Sequence, residues 1–358
     1  MPSVHQKRTA SRYDIFRASA SRAPGRQAGQ TRAAGNAHGA SEITAYGQIP
    51  GGGIRPSPAI PCSLTIDVLI GIPGENVVMA TFPYILKGIR ERAELEVEER
   101  PEVERIKIDV YYLAPGDFSP ETGRQPRFRS VSSGDRRGTI LIYPFANSAV
   151  EVIARRTPTI SVLESYESIG IDAIDTDDAS AISSLVGHLH AQGHARIGFL
   201  SWYYPVPGHW VDRRHKGFLS GLGAHGLQSN PDWAINVHPE GPRLKPVQAA
   251  DAVAAAIRDS GVTAWVCAAD HQAYQLIRDL QSMGIRVPED CSVTGFDGLE
   301  APPGLPRAAS MRAPHEHIGS SAITRMINRV MYPSSLPRKI IVGAQLVPGA
   351  STAAPPRR

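Results

Sequence analysis

From Leu64 onward the chain alternates short apolar runs with segments of helical period, and this alternation limits the fold more than any other feature. Ile66-Asp67-Val68-Leu69-Ile70-Gly71-Ile72 reads as a buried strand that stops at Pro73-Gly74. Phe82 to Val97 carries helical periodicity through Ile85, Ile89, Ala93 and Leu95, and Ile106 to Tyr112 again alternates like a strand. Strands over Thr139–Pro144 and Thr159–Leu163 bracket a helix over Ser148–Arg155, after a polar loop from about 115 to 137. A second series follows: helix 180–191, strand 197–200, helix 214–224, strand 234–237, helix 247–258, strand 264–268, helix 272–283 and strand 292–296. Strands that are apolar on both faces and separated by helices predict parallel sheets covered on both sides. Two successive series predict an α/β chain of two doubly wound lobes. Such sheets bind ligands at the carboxyl ends of their strands, so two facing lobes make a cleft.

The first 62 residues follow a different logic. They hold eight Lys/Arg against two acids, a balance of +6, whereas the remaining 296 residues balance at −2. Gly51-Gly52-Gly53 and Arg55-Pro56-Ser57-Pro58 break any regular element, and no apolar stripe runs beyond a turn or two. A basic arm on a near-neutral body suits a polyanion partner at one end, or is a solvated tail.

Several classes are disfavoured. Cys62, Cys267 and Cys291 are odd in number and widely spaced, which suits neither a disulfide framework nor a zinc site and fits a reducing cytoplasm. No run of about 18 apolar residues predicts a membrane span, and the basic start lacks the apolar core of an export signal. No GxSxG elbow, P-loop or strand-borne GxGxxG supports an enzyme, and no catalytic residue, metal or cofactor is expected. Asp175, Asp177 and Asp178 lack the later glutamate of a calcium loop, so they read as acids at a helix N-terminus.

Seven motifs in register then carry a resemblance. Gly193-His194-Ala195-Arg196-Ile197-Gly198-Phe199-Leu200 ends a helix on glycine and enters a core strand, with His194 read as a structural turn residue. Asp177-Asp178 with Ala181 precedes that helix, and Arg214-His215-Lys216-Gly217-Phe218 and Asp270-His271-Gln272-Ala273 open or occupy later ones. Residues 284–297, GIRVPEDCSVTGFD, form the most specific motif. Ala309-Ser310-Met311-Arg312 with Pro314 and Gly319, and Leu346-Val347 before Ser351-Thr352, complete the set. Over residues 64–352 the chain resembles the LacI/GalR-type bacterial transcription regulators, whose effector domain is periplasmic-binding-protein-like.

That resemblance implies a domain layout. A basic segment, 1–62, stands where the family carries its helix-turn-helix, and an effector domain covers 63–352. Lobe 1 would take about 63–165 and 310–332, lobe 2 about 170–305 and 336–352, with a tail at 353–358. It also implies a cytoplasmic homodimer, no membrane, a small polar effector such as a sugar, and operator DNA as partner if the N-terminal head is functional. Arg214 would project into the cleft as a five-donor fork for hydroxyl or carboxylate oxygens, or else lie on a helix surface. Asp297 would accept ligand hydroxyls at the cleft mouth, or pair within the hinge. Asp270 would touch ligand or cap its own helix. Phe82 and Asn147 are candidate wall residues by position. Ala269 stands where relatives carry asparagine, and Pro239 where several carry a stacking ring, so ligand identity stays open.

The head departs from the pattern. Thr9 to Ala18 and Ile54 to Pro58 echo its two ends at nearly the expected distance, but eight glycines from Gly25 to Gly53 replace the recognition helix. This reads as a GC-rich gene translated in a shifted frame, which the other reading frames of the coding DNA would test. The competing view is a divergent arm that binds DNA by charge alone. An exported solute-binding protein of the same fold is the alternative to a regulator.

Overall fold

A computed structural model describes residues 62–71, 81–113, 136–203, 208–237, 241 and 243–357. The reading of residues 1–61 as a degenerate head lies outside the described residues, as does Pro239.

Two six-stranded sheets organise the chain. The first contains β1 (Cys62–Gly71), β2 (Val103–Leu113), β3 (Arg136–Ile142), β4 (Thr159–Val162), β5 (Asp172–Thr176) and β11 (Lys339–Val342), in the order β11-β5-β4-β3-β1-β2. The second contains β6 (Ile197–Leu200), β7 (Ala234–Ile235), β8 (Ala264–Cys267), β9 (Ser292–Phe296), β10 (Ala309–Arg312) and β12 (Gln345–Val347), in the order β12-β10-β9-β8-β6-β7. Pairing is parallel throughout except between β10 and β12. The helices are α1 (Phe82–Glu99), α2 (Asn147–Ala154), α3 (Asp178–Ala191), α4 (His209–Ala224), α5 (Pro246–Asp259), α6 (Asp270–Ser282) and α7 (His315–Met331). This is the two-lobed α/β architecture that the alternation predicts.

The doubly apolar strands bury both faces, as parallel sheets require. Leu64, Ile66, Val68 and Ile70 of β1 pack with Ile85 and Ile89 of α1 and Ile323 and Met326 of α7. On the opposite face Leu69 meets Leu141, Val150, Ile153 and Tyr166. In the second sheet, Trp265 and Cys267 of β8 pack with α5 and α6. The alternate residues Ala264 and Val266 pack with Phe199, Phe296 and α3.

The chain crosses between the lobes three times, and this corrects the expected lobe limits. β5 pairs with β4 and places Ile174 in the first core, so it closes the first sheet rather than opening the second lobe. β10 pairs with β9 and belongs to the second sheet, not to lobe 1. β11 pairs with β5 in the first sheet, not in lobe 2. The crossings therefore fall between Thr176 and Asp178, between Arg312 and His315, and between Val342 and Gln345. No strand is expected from sequence over Asp172–Thr176, Ala309–Arg312 or Lys339–Val342, because runs of four or five residues that include polar or charged side chains carry no clear strand period.

The end of the chain is docked against the second lobe. The carbonyl of Ala353 accepts from His194 Nε2 at 2.9 Å and from the Ser292 hydroxyl at 3.2 Å. His194 is buried, its Nδ1 lies 2.8 Å from the Thr263 hydroxyl, and burial lowers its pKa. Because the carbonyl can only accept, Nε2 carries the proton and Nδ1 accepts. His194 is thus a structural turn residue. Among the described residues no helix is long and apolar enough to cross a membrane.

Candidate ligand-binding cleft

The carboxyl ends of the second sheet's strands carry a row of polar and aromatic side chains: Trp202 after β6, Asp270 and His271 after β8, and Asp297 after β9. From the first sheet, Tyr143 follows β3 and Glu164 follows β4. Tyr143 adopts φ 71°, and its hydroxyl accepts the N–H groups of Thr81 at 2.9 Å and Phe82 at 3.0 Å, which holds the start of α1. Burial, with a smaller contribution from Asp297, raises the phenol to about 12. Glu164 accepts the backbone N–H of His209 at 2.9 Å, so the strand ends of the first lobe face the second.

Arg214 lies on the buried side of α4. Its Nε donates to Asp178 Oδ1 at 2.9 Å and its Nη1 to the Ala268 carbonyl at 2.6 Å. The guanidinium sits 3.5 Å from the centroid of the Phe296 ring and 4.7 Å from that of Trp210. Two hydrogen bonds and an aromatic sandwich hold the fork in one orientation. Asp178 also accepts from the Thr176 hydroxyl at 2.8 Å and from Arg213 Nε at 2.9 Å. Arg213 reaches on to Asp175 at 2.8 Å, so it clamps the first crossing from both sides. Burial raises the Asp175 carboxyl to about 6 despite that arginine.

Asp297 leaves β9 with φ 119° and donates its backbone N–H to the Met311 carbonyl at 2.8 Å. Burial pushes its carboxyl up to about 8; Arg214 opposes the shift, while Asp270 and Asp178 add to it. Its Oδ1 lies 3.8 Å from Nε2 of the buried His315, which opens α7 across the second crossing. His315 and His271 are both pushed down to about 4, first by burial and then by the charge of Arg214. At neutral pH the cleft thus offers uncharged imidazoles beside a buried arginine.

The residues named from sequence divide into two groups. Arg214, Asp270 and Asp297 lie in one electrostatic cluster. Asp270 neither caps its helix nor points a free oxygen outward: Oδ2 accepts the Leu299 N–H at 2.6 Å and Oδ1 the Ser310 hydroxyl at 2.7 Å. Its carboxylate ties the loop after β9 to β10, and it therefore positions Asp297. Phe82 is buried in the first core, edge-to-face with Tyr112 at 5.7 Å. Asn147 opens α2 and is exposed at the end of β3. Sequence reasoning missed His271, His315, Trp202 and the Glu164–His209 contact. Only the acids at 175–178 gave a local signal, as the buried end of a strand and the start of α3.

Among the described residues no group of three or more His, Cys, Asp or Glu side chains could hold a metal ion. Cys267 and Cys291 are free and buried, with thiols raised by burial.

Comparison with known proteins meets this geometry at the second lobe and beyond, where residues 186–352 match the periplasmic binding protein-like domain family. The stretch is similar to that family, and the fold of the chain is periplasmic-binding-protein-like. Over 202 residues the chain is 27% identical to an HTH-type transcriptional regulator of Streptomyces limosus, across 56% of each chain. Over 193 residues it is 30% identical to the HTH-type transcriptional regulator reg1 of Streptomyces lividans, across 51% of this chain and 52% of that one. The chain thus spans about half the length of these curated relatives. Among solved structures, a LacI transcriptional regulator from a Rhodococcus species superposes with a TM-score of 0.63 at 19% identity, over 82% of this chain and 100% of that one. A LacI family regulator from Enterococcus faecium with bound ribose gives 0.59 at 20% identity, over 81% and 99%. One from Weissella paramesenteroides with bound glucose gives 0.56 at 16% identity, over 81% and 98%. The resemblance to LacI/GalR-type regulators, read from the motifs, holds in the sequence of the second lobe and in the fold of both. Arg214, Asp270 and Asp297 all lie within the matched stretch.

Proposed function

We propose that the protein is an effector-responsive, DNA-binding transcription regulator, acting as a repressor, that takes a small polar ligand between its lobes. The carrying observation is Arg214, held by Asp178, Ala268 and Phe296 beside Asp297, at strand ends that face the other lobe. A fixed fork of donors next to a carboxyl acceptor suits a hydroxylated ligand, and the ribose- and glucose-bound neighbours support a sugar. The HTH-type regulators among the relatives support operator DNA as partner and a role in regulation rather than catalysis. Reading paired half-sites calls for a homodimer, in the cytoplasm where the DNA is.

In this reading ligand stabilises one lobe angle, and the angle sets the spacing of paired DNA heads. Because ligand and DNA are coupled through that angle, each changes the other's affinity by the same factor. The test is fluorescence anisotropy of full-length protein on DNA from upstream of its own gene, with and without sugars. Salt-sensitive binding that a sugar alters supports the reading. Sugar binding without any DNA binding favours a solute-binding protein instead.

A further inference from the structure

We propose that Trp202 and His271 form an aromatic platform that takes the apolar face of a pyranose ring, making them specificity-determining residues of the cleft. This rests on the ligand-binding reading above and adds the ligand class and the residues that select it.

The topology places the two rings side by side. β6 and β8 are adjacent parallel strands, with Leu200 level with Cys267, so the residues following each emerge at the same edge. Trp202 follows β6 by two residues, and His271 stands in the first turn of α6 after β8. Their ring centroids are 4.9 Å apart with planes at 72°, an edge-to-face contact. Such a contact fixes the two ring planes nearly perpendicular, and the large indole of Trp202 supplies the flat apolar surface. Both residues are half-buried, which keeps the surface reachable while limiting the water that must be displaced. Next to them, Tyr203 is exposed and lies under Arg243 at 4.6 Å, which extends the aromatic rim.

The neighbours supply the polar half of the recognition. Arg214 influences the titration of His271, so guanidinium and imidazole share one region, and Asp297 closes the same row from β9. A ligand fitting both halves carries an apolar C–H face and a rim of hydroxyls. A pyranose has both, whereas an open-chain polyol with the same hydroxyls has no rigid face.

The experiment is calorimetric titration of the full chain with D-glucose, cellobiose and sorbitol, for wild-type protein and for Trp202→Ala, Trp202→Phe and Arg214→Ala. We expect at least one pyranose to bind and sorbitol to bind at least about tenfold more weakly. Trp202→Ala should weaken the pyranose by about tenfold or more, while Trp202→Phe stays within about threefold. Trp202→Phe should also reduce the sugar-induced change in tryptophan emission, a readout that survives if the alanine variant fails to fold. Equal affinity of Trp202→Ala for the pyranose, or equal weakening for pyranose and sorbitol, overturns the platform. If Arg214→Ala still abolishes binding in that case, the ligand-binding reading stands without it. If neither pyranose binds wild-type protein, the platform and the sugar reading both fall.

Discussion

Glu164, at the end of β4 in the first lobe, accepts the backbone N–H of His209 at 2.9 Å and lies 2.6 Å from its Nδ1. His209 is the first residue of α4 in the second lobe, so a buried carboxylate of one lobe sits on the helix N-terminus of the other. An anion at that position is favoured by the helix dipole, and here it also ties the lobes together. Glu164→Gln keeps the shape and removes the charge. We expect about 1–2 kcal/mol less stability in urea unfolding and a larger radius of gyration by small-angle scattering in the absence of sugar. An unchanged radius would show that the contact does not set the lobe angle.

Arg214→Lys keeps a positive charge but loses the fork. A single ammonium cannot reproduce both the bond to Asp178 and that to the Ala268 carbonyl with the guanidinium plane stacked on Phe296. Hydrogen bonds to charged groups contribute about 1.5–3 kcal/mol, so the variant should lose roughly that much stability. Any sugar that binds wild-type protein should bind at least about tenfold more weakly. Retained affinity would remove Arg214 from the ligand site.

Arg214 also shows what could be read in advance. The family resemblance implied a place on a helix facing the cleft, and the alternation of β1 to β4 and β6 to β9 carried the architecture, because parallel strands buried on both faces leave a strong local pattern. The sheet membership of β5, β10 and β11 was not legible, since it depends on which neighbour a short strand meets after the chain crosses over. Asp270 shows the same limit at the site. Its position opening α6 suggested a cap or a ligand contact, but its partners Leu299 and Ser310 lie 29 and 40 residues away. Trp202 and His271 stand 69 positions apart in the chain, and no spacing rule joins them before β6 and β8 pair.

Asp297 should leave a signature in the pH dependence of stability. Its folded-state pKa is raised from 3.8 to about 8, so between those values the folded protein binds more protons than the unfolded chain. Stability from this group is therefore full below about pH 4 and is lost as pH rises toward 8. Asp297→Asn removes the titration. Urea unfolding at pH 5 and pH 8 should show wild-type protein losing more stability across the interval than the variant does. Equal losses would mean that Asp297 is ionised throughout.

Gly88 and Gly319 bring α1 and α7 into backbone contact, and a methyl group at either position has nowhere to go. A Cβ on Gly88 would stand 1.9 Å from the carbonyl oxygen of Glu316, and one on Gly319 would stand 2.1 Å from that of Ile85. Both obstacles are main-chain atoms, which yield only if the helices separate. Alanine gains up to about 1 kcal/mol over glycine in a helix interior, whereas overpacking a well-filled core costs about 1–3 kcal/mol. The steric cost should win, because spreading α1 from α7 also loosens Ile85, Ile89, Ile323 and Met326 in the first core. Gly88→Ala should therefore destabilise the protein by at least about 1 kcal/mol in urea unfolding. Gly223 in α4 provides the control, since a Cβ there meets nothing within 4 Å. Gly223→Ala should be neutral or stabilising by up to about 1 kcal/mol. If both substitutions stabilise, the helices are further apart in solution than this backbone contact requires.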